Sequence, residues 1–203
     1  MKTLLLSFLL SISIMTLTAQ EQYFLILGND TLNITTDQIY IHKMASGEEV
    51  MLRLIKQQVQ TFTGNMVSFD YPNEYTVSKT DLGEGVQQIA LLTADGNGFF
   101  IQEYSTIDPT SLVNMMMTEL TKESIDYGYK YSEETFEQRF QNNKLLVGRR
   151  RTLENQGVQE TYTVSTYGEQ GRGILITTLT NNSGNKEETD KLLNLLYRSL
   201  KIL

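Results

Sequence analysis

The residues best suited to bind a charged ligand are three consecutive arginines, Arg149, Arg150 and Arg151. They are the one basic run in a chain whose formal net charge is −7. Alternate side chains of a β-strand point to opposite faces, so Arg149 and Arg151 would share one face and Arg150 the other. Guanidinium groups bind carboxylate and phosphate well, which makes Arg149 and Arg151 a candidate anion- or partner-binding site. The alternative is cross-strand pairing with acids such as Glu154, Glu160 or Glu169.

Nucleophilic and metal-dependent catalysis have little support in the residue types. The sequence contains one histidine, His42, and no cysteine. A serine nucleophile would need His42 as its base, and the sequence has no Gly-x-Ser-x-Gly elbow. Zinc needs several Cys and His ligands, and residues 95–98 lack the spacing and the closing Glu of a calcium loop. We therefore expect no enzyme activity, no metal and no cofactor.

One catalytic class remains open because the chain has 24 acidic residues. Hydrolysis of a glycosidic bond uses two carboxylates that face each other across a cleft. A carboxylate-based hydrolase of an extracellular polymer is therefore the alternative to a non-catalytic binding or assembly module. The net negative charge argues against nucleic acid as a partner.

The elements that must position these side chains are mostly short β-strands. Alternating apolar residues and a turn at Ser46-Gly47 predict a hairpin between 38–42 and 49–56. A second hairpin is expected across the polar turn at 94–98. Residues 129–140 are ambiguous between strand and helix. The other expected strands are 22–27, 65–71, 75–78, 144–153, 158–167 and 173–180.

Two helices are expected among these strands. Asp108-Pro109 is typical of a helix start and Gly128 of a helix end, and the apolar residues between them recur at helical spacing. The triple methionine at 115–117 would suit an adaptable groove, but its spacing favours core packing because Met116 and Met117 fall on the apolar stripe. A second helix begins near Lys186, and residues 199–203 return to the sheet. Hairpin-length connections make the sheet antiparallel, so the predicted class is α+β, an antiparallel sheet flanked by helices.

The N-terminus has the pattern of a secretory signal peptide over residues 1–19. Lys2 is followed by an uncharged apolar stretch at 4–17 and by small and polar residues up to Gln20. No later segment is apolar for long enough to span a membrane. We expect an exported protein, periplasmic or secreted, with no lipid anchor because the anchoring cysteine is missing. The Ala19-Gln20 ending resembles that of exported Bacteroidetes proteins.

From Phe62 onward, the order of elements resembles the PsbP/DcrB-like superfamily. The resemblance rests on an aromatic-Pro strand end, a short following strand, a hairpin, an Asp-Pro-capped helix, two further strand motifs and a last helix with a Ser-led tail. The segments that carry it are VSFDYP (67–72), YTVS (75–78), LLVGR (145–149), QETY (159–162), GILIT (173–177) and RSLKI (198–202).

This resemblance implies a PsbP-like α/β/α sandwich over residues 64–203, preceded by an extra N-terminal β-hairpin extension at 20–63. Members of the superfamily are mostly assembly factors, chaperones and binding modules. It therefore implies a binding role, directed at a protein or cell-envelope component, through the sheet face or the groove beside the first helix. No functional motif of the superfamily can be placed on particular residues here.

Overall fold

The computed structural model describes residues 22–44, 46–140 and 144–203. The predicted signal peptide lies outside the described residues. The chain divides into two compact units after Lys56. The strand at Val59–Thr63 belongs to the second unit, although it precedes residue 64, where the sequence places the start of the main domain.

The described part of the first unit, residues 22–44 and 46–56, consists of two antiparallel hairpins. Strand β1 (Gln22–Leu27) pairs with β2 (Asp30–Thr35), and β3 (Ile39–Lys43) pairs with β4 (Glu49–Arg53). Gly28 has a φ of 62°, which favours glycine in the first turn. Ile34 is the buried apolar side chain of the described part of this unit.

Over residues 57–140 and 144–203, the second unit contains two sheets and two helices. Helix α1 (Val113–Asp126) follows a 3-10 turn at Pro109–Leu112, and α2 spans Lys186–Ser199. The strands are β5 (Val59–Thr63), β6 (Val67–Pro72), β7 (Ser78–Gly83), β8 (Val86–Leu92), β9 (Gly98–Tyr104), β10 (Lys130–Arg139), β11 (Leu145–Asn155), β12 (Val158–Glu169), β13 (Arg172–Asn181) and β14 (Lys201–Ile202).

The main sheet has seven strands in the order β10-β11-β12-β13-β9-β8-β7, and the smaller sheet has the order β14-β6-β5. Their strand pairs are antiparallel. With two helices added, the fold class is α+β, as the sequence predicts. Across the described ranges, no helix combines the length and the apolar character needed to cross a bilayer.

The helices pack on opposite faces of the main sheet. Val113 and Met117 of α1 pack in one cluster with Leu175 of β13. Leu192 and Leu196 of α2 pack with the neighbouring sheet residues, Ile174 and Ile176, which alternation places on the other face. The α2 cluster also takes in residues of the smaller sheet, including Phe69.

The local signals for α1 and for the second hairpin are confirmed, and the strand expected at 75–78 is wrong. Asp108 caps the 3-10 turn, since its Oδ1 accepts from the Thr110 N–H at 2.9 Å, and Gly128 has a φ of 104°. Tyr75 lies in a turn, where its N–H donates to the Pro72 carbonyl at 3.2 Å. The next strand therefore starts only at Ser78, while the ambiguous segment at 129–140 forms β10.

Candidate binding groove

Five threonines and one arginine form two rows on the α2 face of the main sheet. In the first row, Thr152 lies opposite Thr161, and Thr161 lies opposite Thr180. In the second row, Arg150 lies opposite Thr163, which lies opposite Thr178. Neighbouring strands are about 4.8 Å apart, so the side chains form a regular array of hydroxyl groups over β11, β12 and β13.

This array lines a cavity of about 310 Å³, together with Leu193 and Tyr197 of α2. An adjoining cavity of about 130 Å³ shares Thr161 and Thr180. Its other lining residues are Gln159, Asn181, Asn182, Lys186, Thr189 and Asp190. The two cavities together are the threonine groove.

Arg150 supplies positive charge to the groove. Its Nε donates to Thr163 Oγ1 at 3.3 Å and its Nη1 donates to Glu134 Oε1 at 3.1 Å. The guanidinium carbon lies 5.0 Å from the centroid of the Phe136 ring. An arginine has five N–H donors, so these two bonds leave three for a ligand. The pair with Glu134 is solvent-exposed, at 41% and 65% side-chain exposure, and such pairs contribute little stability.

The hydroxyls deepest in the groove are buried and uncharged. Thr163 and Thr178 are 3% and 4% exposed. Burial raises the pKa of Tyr197 to about 12, although its hydrogen bond with Thr178 and the nearby charge of Arg150 lower it in part. The phenol therefore remains protonated at ordinary pH and can act as a hydrogen-bond donor, but not as a general base.

Arg149 and Arg151 share the opposite, α1 face, and both pair with Glu133 of β10. Arg149 Nη1 lies 3.0 Å from Glu133 Oε1, and Arg151 Nε donates to Glu133 Oε2 at 2.9 Å. Arg149 Nε also donates to Asn114 Oδ1 at 3.1 Å, and Arg151 Nη1 donates to Thr121 Oγ1 at 2.6 Å. The arginines thus pair across strands, but with an acid other than those named from the sequence.

Those three acids lie elsewhere or have other partners. Glu160 accepts from the Ser124 hydroxyl at 2.9 Å, and Glu169 lies 3.8 Å from Lys144 Nζ. Glu154 lies opposite Lys130 on the edge strand β10. Arg149 and Arg151 share the single negative charge of Glu133, so the two arginines together have one positive charge more than their acidic partner. Anion binding there stays a prediction.

A separate cavity of about 210 Å³ is lined by several acids, among them Asp81, Glu84 and Glu103. Glu103 is 2% exposed, and its carboxylate accepts backbone N–H groups from residues 65, 66 and 67 at 3.1, 2.7 and 3.1 Å. Asp81 Oδ1 accepts the Gly83 N–H at 2.8 Å. Both oxygens of Glu103 therefore bond to the backbone. Within the described ranges, no group of three or more His, Asp and Glu is arranged to hold a metal.

His42, on β3 of the first unit, pairs with Asp30 of β2. Its Nε2 lies 3.1 Å from Asp30 Oδ2, and the histidine side chain is 15% exposed. The hydrogen bond joins the two hairpins of that unit. The hydrogen-bond partner of His42 is thus a carboxylate. A serine-dependent mechanism would need a hydroxyl as partner, and within the described residues His42 has no hydrogen bond to one.

The threonine groove is not among the sites that the sequence predicts. The available signal was threonine at alternate positions in two neighbouring strands, 161 and 163, then 178 and 180. Alternation shows that each pair shares a face, but not which face is covered by a helix. The methionines are clearer, since Met117 is 1% exposed and Met115 is 53% exposed, which makes Met117 a core residue.

Comparisons with known proteins give little further information. No family model matches the chain, and no curated protein matches it. The chain is similar to a crystal structure of a protein from Bacteroides thetaiotaomicron VPI-5482, with 13% sequence identity and a TM-score of 0.33. The match covers 72% of this chain and 49% of that one, so this chain spans about half the length of that protein. A likeness this weak identifies neither a fold family nor a function.

Proposed function

We propose that this chain is an exported, non-catalytic binding or assembly module of PsbP/DcrB-like fold that acts on a protein or cell-envelope component. The threonine groove is its recognition site. The observation that carries the proposal is the hydroxyl-lined part of the main sheet beside α2, where an apolar face would be expected to pack.

The polar character of this sheet face is unusual for a packed layer. Around Ile174 and Ile176, the same face is fully buried and apolar. Toward β11, it changes to threonine hydroxyls and a guanidinium around a cavity of about 310 Å³. That volume is at the lower end of ligand-binding cavities, which are usually more apolar. A polar ligand that replaces water by hydrogen bonds fits this surface.

The chemistry of the lining favours reversible binding over catalysis. Hydroxyls, amides and a guanidinium are donors and acceptors, while the protonated Tyr197 is no base. Among the lining residues of the groove, Asp190 is the one carboxylate, whereas glycosidic hydrolysis needs a facing pair. The cavity at Glu103 has more acids than the groove, but the carboxylate of Glu103 already accepts three backbone N–H groups there.

Export and fold family rest on the sequence patterns. The tripartite N-terminus supports export. The order of strands, helix, strands and a second helix that returns to a sheet supports the superfamily resemblance. If the signal is cleaved after Ala19, N-terminal sequencing of protein from an exporting host will begin at Gln20, and an intact Met1 would contradict export by this route.

The binding role is tested by retention of envelope components. The full chain is expressed in an exporting host, purified and immobilised, and envelope extract is passed over it. The double variant Thr161→Val, Thr163→Val removes groove hydroxyls at nearly constant volume. Thr80→Val, at an exposed threonine of the far edge strand β7, is the matched control. We expect one component to be retained by the wild type and the control but lost by the double variant. Equal retention by all three, or turnover of a defined polymer by the purified wild type, would refute the proposal.

A further inference from the structure

We infer that the threonine groove binds an acidic saccharide, with sugar hydroxyls in the threonine rows and a carboxylate at Arg150. This inference rests on the proposed function, because it names the ligand class of the same groove.

The hydroxyl array fits a ligand that donates and accepts at several points. Thr152 and Thr161 share one hydrogen bond, at 3.3 Å between their Oγ1 atoms, and Thr163 accepts from Arg150. A hydroxyl can donate once and accept twice, so these bonds leave donors and acceptors unused. Thr180 adds a further hydroxyl that lines both cavities. A polyhydroxylated molecule matches such a surface, whereas an apolar ligand would leave it unsatisfied.

An extended peptide fits this surface poorly. Peptides that add to a sheet need a free strand edge. The three strands that carry the threonines, β11, β12 and β13, are each paired on both sides. Their backbone groups are therefore used within the sheet, and the groove offers side chains alone. Leu193 and Tyr197 are the apolar and aromatic lining residues, which is too little for side-chain pockets.

Arg150 is the group in the groove that would bind an anion. It has three N–H donors left, and its partner Glu134 is 65% exposed and so is easily displaced by a ligand carboxylate. Arg149, Arg151 and Glu133 lie on the opposite face and do not contribute to the groove. Lys186 adds a positive charge in the adjoining cavity, opposed by Asp190. Arginine binds carboxylate in a fork geometry, which gives specificity as well as affinity.

The volume agrees with a short ligand. The larger cavity, at about 310 Å³, is at the lower end of the range for small-ligand sites, which suits about one or two sugar residues and not a long polymer. The smaller cavity of about 130 Å³ extends the groove and leaves room for the hydroxyls of a neighbouring residue.

The test is calorimetric titration of the purified full-chain product with short oligogalacturonate and oligoglucuronate. The methyl-esterified forms keep the ring hydroxyls but lose the charge, and inorganic phosphate supplies an anion without hydroxyls. We expect both or one of the acidic oligomers to bind, with affinity at least about tenfold above the ester and above phosphate. Equal binding of acid and ester, phosphate binding as tight as the oligomer, or no binding of either acid would overturn the inference.

Variants assign the binding to the groove. Arg150→Gln should weaken the acidic oligomer by about tenfold or more, and Arg150→Lys should retain part of the affinity because it keeps the charge. Arg139→Gln, at an exposed arginine of β10 that alternation places on the other face, should stay within about twofold. Thermal melting shows that each variant is folded. An unchanged affinity in folded Arg150→Gln would also overturn the inference. If an envelope component is retained through the groove while no acidic saccharide binds, the proposed function stands and the ligand class fails; if neither occurs, both fail.

Discussion

The buried carboxylate of Glu103 gives the most quantitative prediction about this fold. Glu103 lies on β9 of the main sheet, and it accepts the backbone N–H groups at the start of β6 in the smaller sheet. Oε1 accepts two of these bonds, from Met66 and Val67, and Oε2 accepts the third, from Asn65. The side chain therefore connects two sheets whose strands do not otherwise pair.

Glu103→Gln replaces one acceptor oxygen by a donor at nearly constant volume. In the orientation that keeps most bonds, the amide oxygen of the new side chain takes the place of Oε1 and accepts the N–H groups of Met66 and Val67 as neutral hydrogen bonds. The amide NH2 group then takes the place of Oε2, so the N–H of Asn65 faces another donor and loses its bond. A hydrogen bond to a charged group contributes about 1.5–3 kcal/mol, and a neutral one about 1 kcal/mol. One charged bond is lost and two are weakened, so the free energy of unfolding should fall by about 3 kcal/mol.

Urea denaturation followed by circular dichroism measures this loss. With an m-value of about 2 kcal/mol per molar, the midpoint should fall by about 1.5 M while the slope stays unchanged. Gln87→Ala is the control, because Gln87 lines the same cavity but its bond to Asn65 is solvent-exposed, and its cost should stay within about 0.5 kcal/mol. If Glu103→Gln cost no more than this control, the carboxylate would not hold the sheets together.

Three further predictions concern the main sheet and α2. A Cβ at Gly148 would lie 2.0 Å from the carbonyl oxygen of Val164 on the neighbouring strand β12, so Gly148→Ala should lower the free energy of unfolding by about 2 kcal/mol or more. The control Val147→Ala, at an exposed neighbour, should lower it by less than about 0.5 kcal/mol. Equal melting temperatures of the two variants would contradict this prediction. Gln156 and Gln170, in the turns at opposite ends of β12, have φ of 51° and 54°, a conformation that Asn tolerates better than Gln. Replacing each by Asn should therefore raise the free energy of unfolding by a few tenths of a kcal/mol, and the two gains should add. A lower melting temperature in either variant would contradict this prediction. The pKa of Tyr197 is raised to about 12 from 10.0, so between pH 10 and 12 the unfolded chain releases this proton first and stability falls by about 2–3 kcal/mol. In urea denaturation measured at each pH, the stability of Tyr197→Phe should fall by about 2–3 kcal/mol less than that of the wild type between pH 10 and 12. The same pH dependence in both proteins would refute the raised pKa of Tyr197.

The sequence predicts the elements well where the signal is local. Asp108, Pro109 and Gly128 mark the first helix through capping and backbone geometry, which depend only on neighbouring residues. The hairpin across residues 94–98 is equally local, because its turn fixes the pairing of β8 and β9. Tyr75 shows the limit of such signals. Its apolar neighbourhood reads as a strand, but its hydroxyl hydrogen-bonds to Glu188 of α2, a contact between distant segments.

The candidate site depends on information that is not local. The pairing of Arg149 and Arg151 with Glu133 follows from the antiparallel register of β10 and β11, and residues 129–140 do not reveal by pattern that they form a strand. The threonine groove likewise requires the register of three strands and the position of α2. A period of two gives the grouping of side chains, whereas sheet order and helix placement decide whether the group is buried, exposed or part of a cavity.

The pairing of β14 with β6 has a consequence for the order of folding. Ile202 lies opposite Val67, and the Leu203 N–H donates to the Met66 carbonyl at 2.9 Å. The smaller sheet is therefore completed by residues that are separated in sequence by almost the whole second unit. Until residue 202 has left the ribosome, β6 has an unpaired edge, which is a site for wrong pairing with other strands. Since contacts between distant residues form slowly, we expect this sheet to form late in folding, after the β8–β9 and β11–β12 hairpins.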